Sequence, residues 1–249
     1  MKTSIFKLSG IVLFSIFLFS CTTTDQPEFE EVAYHETFGD CDNSICVNIE
    51  LEYLKMKGNS EAAQKFNNLI EQFIFQKMAI DEGSGDLKPE EYVQGVFKDF
   101  KAFTKEFPDA RTGGYEQTTN CKITWVDEKL ISVELLTSMY SGGAHPTYLD
   151  EFLNVDPESG KAIDINKFIT DKKLFENLVE KKLREKLKMG ENDKWEDFTF
   201  IDEFILPENM GLTEKGLRLV YNEYEILPYS EGMTEILNSR EELKRFSKL

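Results

Sequence analysis

One alternation constrains this chain most: Val47, Ile49, Leu51 and Tyr53 are apolar, and Asn48, Glu50 and Glu52 between them are polar. Successive side chains of a strand point to opposite faces, so this segment has one dry face and one wet face. Any fold built on it must cover the dry face with another layer.

The sequence supplies that layer at once. Ala62, Phe66, Leu69, Ile70, Phe73 and Ile74 recur at helical spacing behind a cap at Asn59 or Ser60, and the glycine-containing stretch Asp81 to Asp86 closes the helix. A second helix opens at Pro89 with Glu90 and Glu91 in its first turn. It presents Val93, Val96, Phe97, Phe100 and Phe103 and stops at Phe107-Pro108. Ile123 and Trp125, a turn at Asp127-Glu128, and the alternating Ile131 to Met139 then predict a hairpin with a long second arm.

Tyr148 to Val155 reads as a further strand, followed by a turn over Asp156 to Gly160. A third helix carries Leu174, Phe175, Leu178, Val179, Leu183 and Leu187, capped by Asp171 and closed by Gly190. Strands return over Gly211 to Ile226, and Ser239-Arg240-Glu241-Glu242 has the form of a capping box opening a short last helix. The expected fold is α+β, an antiparallel sheet with helices packed on one side. It spans residues 39–249, more helical over 39–110 and richer in sheet over 111–249.

Ahead of this domain, Lys2 and Lys7, the apolar run Ile11 to Phe19 and the string Leu18-Phe19-Ser20-Cys21 follow the order of an export signal. The run is shorter than the roughly 20 residues that span a bilayer, and no basic cluster follows it. Residues 1–20 are therefore expected to be a lipoprotein signal peptide, with Cys21 lipidated and holding the protein at a membrane. Residues 21–38, polar and without period, read as a flexible tether. The domain would sit in the cell envelope, outside the cytoplasm, where disulfides form. Cys41 and Cys46 are close enough in sequence for a local bridge, and Cys121 is left over, although its pairing with either stays open.

The chain holds 46 acidic and 29 basic residues, a formal net charge of −17. Loss of the leader, with two lysines and no acid, makes the balance more negative. Nucleic acid demands a basic footprint and is excluded as a partner, since Lys181 to Lys188 is interleaved with Glu185 on a helix. An acidic surface would instead steer a basic protein.

Candidate chemistry is sparse. His35 and His145 are the sole histidines, too few for a histidine zinc site, and no cofactor is implied. Asp40, Asp42 and Ser44 imitate the start of a calcium loop, but Ile45 and Leu51 stand where its glycine and bidentate glutamate belong. Ser141 and His145 could form a dyad, yet the string lacks the Gly-x-Ser-x-Gly elbow and a third orienting group. No catalytic residue is assigned.

Three strings occur in order: Tyr140-Ser141-Gly142-Gly143-Ala144-His145, Asp156-Pro157-Glu158-Ser159-Gly160-Lys161, and Gly216-Leu217 with Tyr221 to Gly232. They resemble the extracellular domain shared by RsiV-type anti-sigma factors and the accessory region of PdaC-type peptidoglycan deacetylases, over roughly residues 45–246. The resemblance implies an extracytoplasmic α+β domain, one member type of which senses lysozyme by binding it. Neither a sigma-binding segment nor the metal histidines of a deacetylase accompany the strings. The implied activity is binding, of lysozyme or a peptidoglycan fragment, with Tyr140, Gly142, Gly143, His145, Tyr224, Glu225, Pro228 and Tyr229 as candidate contact residues. A glycan-acting enzyme and a structural envelope lipoprotein are the alternatives.

Overall fold

Apolar side chains gather in two clusters, and each belongs to its own sheet. The computed structural model describes residues 26–41, 45–75, 89–107 and 114–249. The leader, Cys21, Asp42 and Ser44, and the turn expected at Asp81 to Asp86 lie outside the described residues.

The first sheet has five strands in chain order: β1 (Phe29–Asp40), β2 (Ile45–Met56), β3 (Tyr115–Val126), β4 (Ile131–Ser141) and β5 (Thr147–Val155). Its pairs are antiparallel except β2 with β3, which run parallel because α1 (Glu61–Phe75) and α2 (Pro89–Glu106) stand between them in the chain. Ser60 caps α1 by accepting the Ala63 N–H at 3.1 Å, and the helix buries Ala63, Phe66, Ile70, Ile74 and Phe75. With Val93, Val96, Phe97 and Phe100 of α2, these residues close over Val47, Ile49, Leu51 and Tyr53. Each such full burial contributes roughly 1.5–3 kcal/mol.

The second sheet is antiparallel, with order β6 (Met210–Thr213), β7 (Gly216–Tyr221) and β8 (Thr234–Ser239). It carries α3 (Lys172–Lys186) and α4 (Arg240–Leu243) on the cluster of Leu217, Leu219 and Tyr221. β6 crosses β3, β4 and β5 on the face away from α1 and α2. Gly211 makes that crossing possible, since a Cβ there would stand 1.9 Å from the Phe152 ring. The protein is thus an α+β stack of helices, sheet, sheet and helices. The expected single sheet with helices on one side describes its first half, and the second sheet takes the other face of β3 to β5.

Two further expectations change. Residues 29–38 of the expected tether form most of β1, paired along its whole length with β2. The glutamates that made this stretch look unstructured, Glu30, Glu31 and Glu36, sit exposed on an edge strand, while Phe29, Val32, Tyr34 and Phe38 are partly buried against the core. The third helix ends before Gly190, because Lys188 takes the left-handed conformation (φ 58°) and the Met189 N–H reaches back to the Arg184 carbonyl at 2.9 Å. Asp171 caps the start of α3, and the Ser239–Glu242 capping box is complete in both directions.

Candidate binding surface

The wet face of the first sheet is only half covered. Over β3 to β5 its far end is closed by β6, where Thr124 donates to the Leu212 carbonyl at 2.8 Å and Ser132 accepts the Leu212 N–H at 3.0 Å. Toward Cys46 the face is open. There the pairing sets side chains in rows: Thr37, Asn48, Glu116 and Tyr140 in one, and His35, Glu50, Thr118, Ser138 and Tyr148 in the next. These rows floor a groove of about 810 Å³. His35, placed by sequence reasoning in the tether, belongs to this floor, with Nε2 3.0 Å from the Thr37 hydroxyl and 3.2 Å from Asn48 Oδ1.

One end of the groove is braced by the Cys41–Cys46 disulfide, whose Cα atoms lie 4.9 Å apart. Gly114 packs directly on it, since a Cβ would meet the Cys46 carbonyl at 2.3 Å.

Next to the groove, beyond Pro146 and Tyr148 of its lining, two distant strings meet in a wall of rings. The β4–β5 turn carries His145, the loop after β7 carries Tyr224 and Tyr229, and the imidazole stacks on the Tyr229 ring with centroids 3.7 Å apart and planes at 22°. Tyr224 lies beside this pair, its ring inclined by 29° to Tyr229 and 27° to His145 at centroid distances of 6.1 Å and 6.4 Å. His145 Nδ1 donates to the Pro146 carbonyl at 3.0 Å, which leaves Nε2 to accept the Tyr224 hydroxyl at 3.3 Å. The Tyr140 hydroxyl donates to the Gly143 carbonyl at 3.0 Å and pins the turn, in which Gly142 has φ 83°. Gly143 has no positive φ. Partial desolvation, the Glu223 carboxylate and the phenols of Tyr148 and Tyr224 hold the Tyr229 hydroxyl above its usual range.

Not every candidate joins the wall. Pro228 is exposed and starts the short turn Tyr229–Glu231. Glu225 sits beside Glu151 and Glu208 and bonds to Asn222, and burial raises its carboxyl above the usual range. Sequence reasoning also missed the residues that hold the loop in place. Asn222 Oδ1 accepts the Asp150 N–H at 2.9 Å, Asn209 Oδ1 the Phe152 N–H at 2.7 Å, and Glu223 the Tyr148 N–H at 3.4 Å. Two asparagines and a glutamate among many offer no local signal for such roles.

Residues 41–148 match the family model described as deacetylase PdaC, and residues 166–237 match that of a protein family of unknown function, DUF3298. Two solved structures are similar over nearly the whole chain. One is a DUF3298-family member from Bacteroides fragilis, 21% identical, covering 90% of this chain and 94% of that one with a TM-score of 0.66. The other is a DUF3298-family protein from Pseudomonas aeruginosa, 19% identical, covering 90% and 95% with a TM-score of 0.62. At these identities the likeness is one of fold. No curated protein matches the sequence.

Proposed function

We propose that the protein is a lipid-anchored binding module of the cell envelope, extracytoplasmic and held by Cys21, whose partner docks on the wall formed by His145, Tyr224 and Tyr229. The observation that carries this function is the meeting of two strings, 79 positions apart at the His145–Tyr224 contact, in one cluster of rings. Exposed flat rings on rigidly held loops offer large contact area at small entropic cost. Tyr224 is 57% exposed although its hydroxyl and its N–H are both hydrogen-bonded.

The partner classes are those implied by the RsiV-type and PdaC-type resemblance, a basic protein such as lysozyme or a cell-wall glycan. The acidic balance of the chain favours either when it is cationic. Calorimetry with a basic lysozyme and with soluble wall fragments tests the function. Heat is expected with at least one, lost in His145→Ala and Tyr229→Ala. Silence with both would overturn it. Mass spectrometry of the native protein beside Cys21→Ser tests the anchor, and an unmodified chain beginning at another residue would reject it.

A further inference from the structure

We propose that the groove beside the ring stack is a saccharide site selective for sugars with free amino groups. This rests on the binding function above and names the ligand class of that surface. The groove is open along its length, and its volume of about 810 Å³ falls within the size range of small-ligand sites. Its lining is largely polar, with hydroxyls, amides and carboxylates beside the rings of Tyr140 and Tyr148.

The acids of that lining outnumber its one basic group among the described residues, the imidazole of His35. Glu50 and Glu116 stand on neighbouring strands, and among the described residues neither lysine nor arginine lines the groove. An anionic or phosphorylated ligand would be repelled by the two carboxylates, whereas an ammonium would form charge-assisted hydrogen bonds to them. Glu116, Thr118 and Ser138 make no side-chain hydrogen bond among the described residues, so their polar atoms face the groove ready for a ligand. The Tyr148 ring, 42% exposed at the groove wall, supplies the flat surface on which a sugar ring stacks.

The test uses calorimetry on the full mature chain at low salt and mildly acidic pH, where sugar amines are charged. The probes are a glucosamine tetramer, its fully N-acetylated counterpart and a basic lysozyme. The glucosamine tetramer is expected to bind more tightly than the acetylated one. Glu116→Gln or Glu50→Gln should weaken it by about tenfold or more, as loss of one charge-assisted hydrogen bond does, without moving the unfolding midpoint. Equal affinity for the two tetramers, or indifference to both substitutions, would overturn the proposal. Lysozyme binding that is lost in Tyr229→Ala but unchanged in Glu116→Gln, with no heat from either tetramer, would overturn the saccharide groove and leave the binding function standing.

Discussion

Asn222 does for Asp150 what a neighbouring strand would do: its Oδ1 accepts the Asp150 N–H at 2.9 Å and its Nδ2 donates to the Asp150 carbonyl at 3.3 Å. The outer edge of β5 is thereby closed by side chains, with Asn209 and Glu223 serving Phe152 and Tyr148 in the same way. Asn222 also begins the loop that carries Tyr224 and Tyr229. One amide therefore seals a sheet edge and fixes the ring stack against the β4–β5 turn.

Asn222→Ala should therefore act on stability and binding together. It leaves the buried Asp150 amide without this partner, at a cost of about 1–3 kcal/mol, and frees the loop. Urea unfolding should show the loss, and calorimetry should show weaker binding of whichever ligand the ring stack takes. An unchanged unfolding midpoint would mean that the edge is held by Asn209 alone.

Between the two sheets, the Arg218 guanidinium is bound by Glu134 and Asp150, whose side chains are 4% and 2% exposed, and by Glu235 at 2.7 Å. Removing the cation in Arg218→Met leaves the buried Asp150 carboxylate without a cation, while Glu134 keeps Lys122, and should cost about 3–5 kcal/mol. The pH dependence follows from Asp150. Burial raises its carboxyl above the usual range, Arg218 pulls the other way, and the net shift is upward. Since the folded value exceeds the unfolded one, the folded protein binds more protons in the interval between them, and this residue's contribution to stability falls as pH rises from about 4. The stability of the wild type minus that of Asp150→Asn should decline across the carboxylate range. A rising difference would show that pairing with Arg218 outweighs burial.

The cysteines divide by accessibility. Cys121 is buried, and burial pushes its thiol up to about 12, so iodoacetamide should leave it unmodified in the native protein and label it after unfolding. The Cys41–Cys46 bridge closes a short loop with a sequence separation of 5, and its reduction should destabilise the fold by only about 2 kcal/mol. Rapid native labelling of Cys121 would contradict the packing of α1 and α2 over β3.

What was legible in the sequence was local. Ser60, Asp171 and Ser239 cap helices because a hydroxyl or carboxylate beside the first amides suffices, whatever lies elsewhere. The alternation through Val47 to Tyr53 marked a core strand for the same reason. The edge strand β1 was missed because an edge tolerates the glutamates that disorder also favours. Arg218 with Glu134 and Asp150 was missed because a buried ion cluster joins residues 84 and 68 positions apart, and no pattern in one strand announces its partner in another. The ring stack was anticipated in its members but not in its geometry, and the groove next to it appears only when the second sheet is seen to stop short of β1 and β2.

Tyr224 shows a cost that the fold carries for its surface. Its φ of 66° lies in the left-handed region, where a side chain with a Cβ is strained by roughly 1–2 kcal/mol. Glycine would relieve that strain, and the Tyr224 N–H, which donates to the Leu227 carbonyl at 3.1 Å, would keep its bond. Yet the ring is 57% exposed, lies beside His145 and Tyr229, and gives its hydroxyl to His145. Tyr224→Gly should therefore raise stability, by up to about 1 kcal/mol after the greater chain entropy of unfolded glycine is set against the relief. The same substitution should weaken ligand binding. Urea unfolding and calorimetry on one preparation measure both, with Tyr224→Ala as the control that removes the ring and keeps the strain. If Tyr224→Gly binds as well as the wild type, the ring serves the turn and not a partner, and the binding surface must be sought along the groove floor alone.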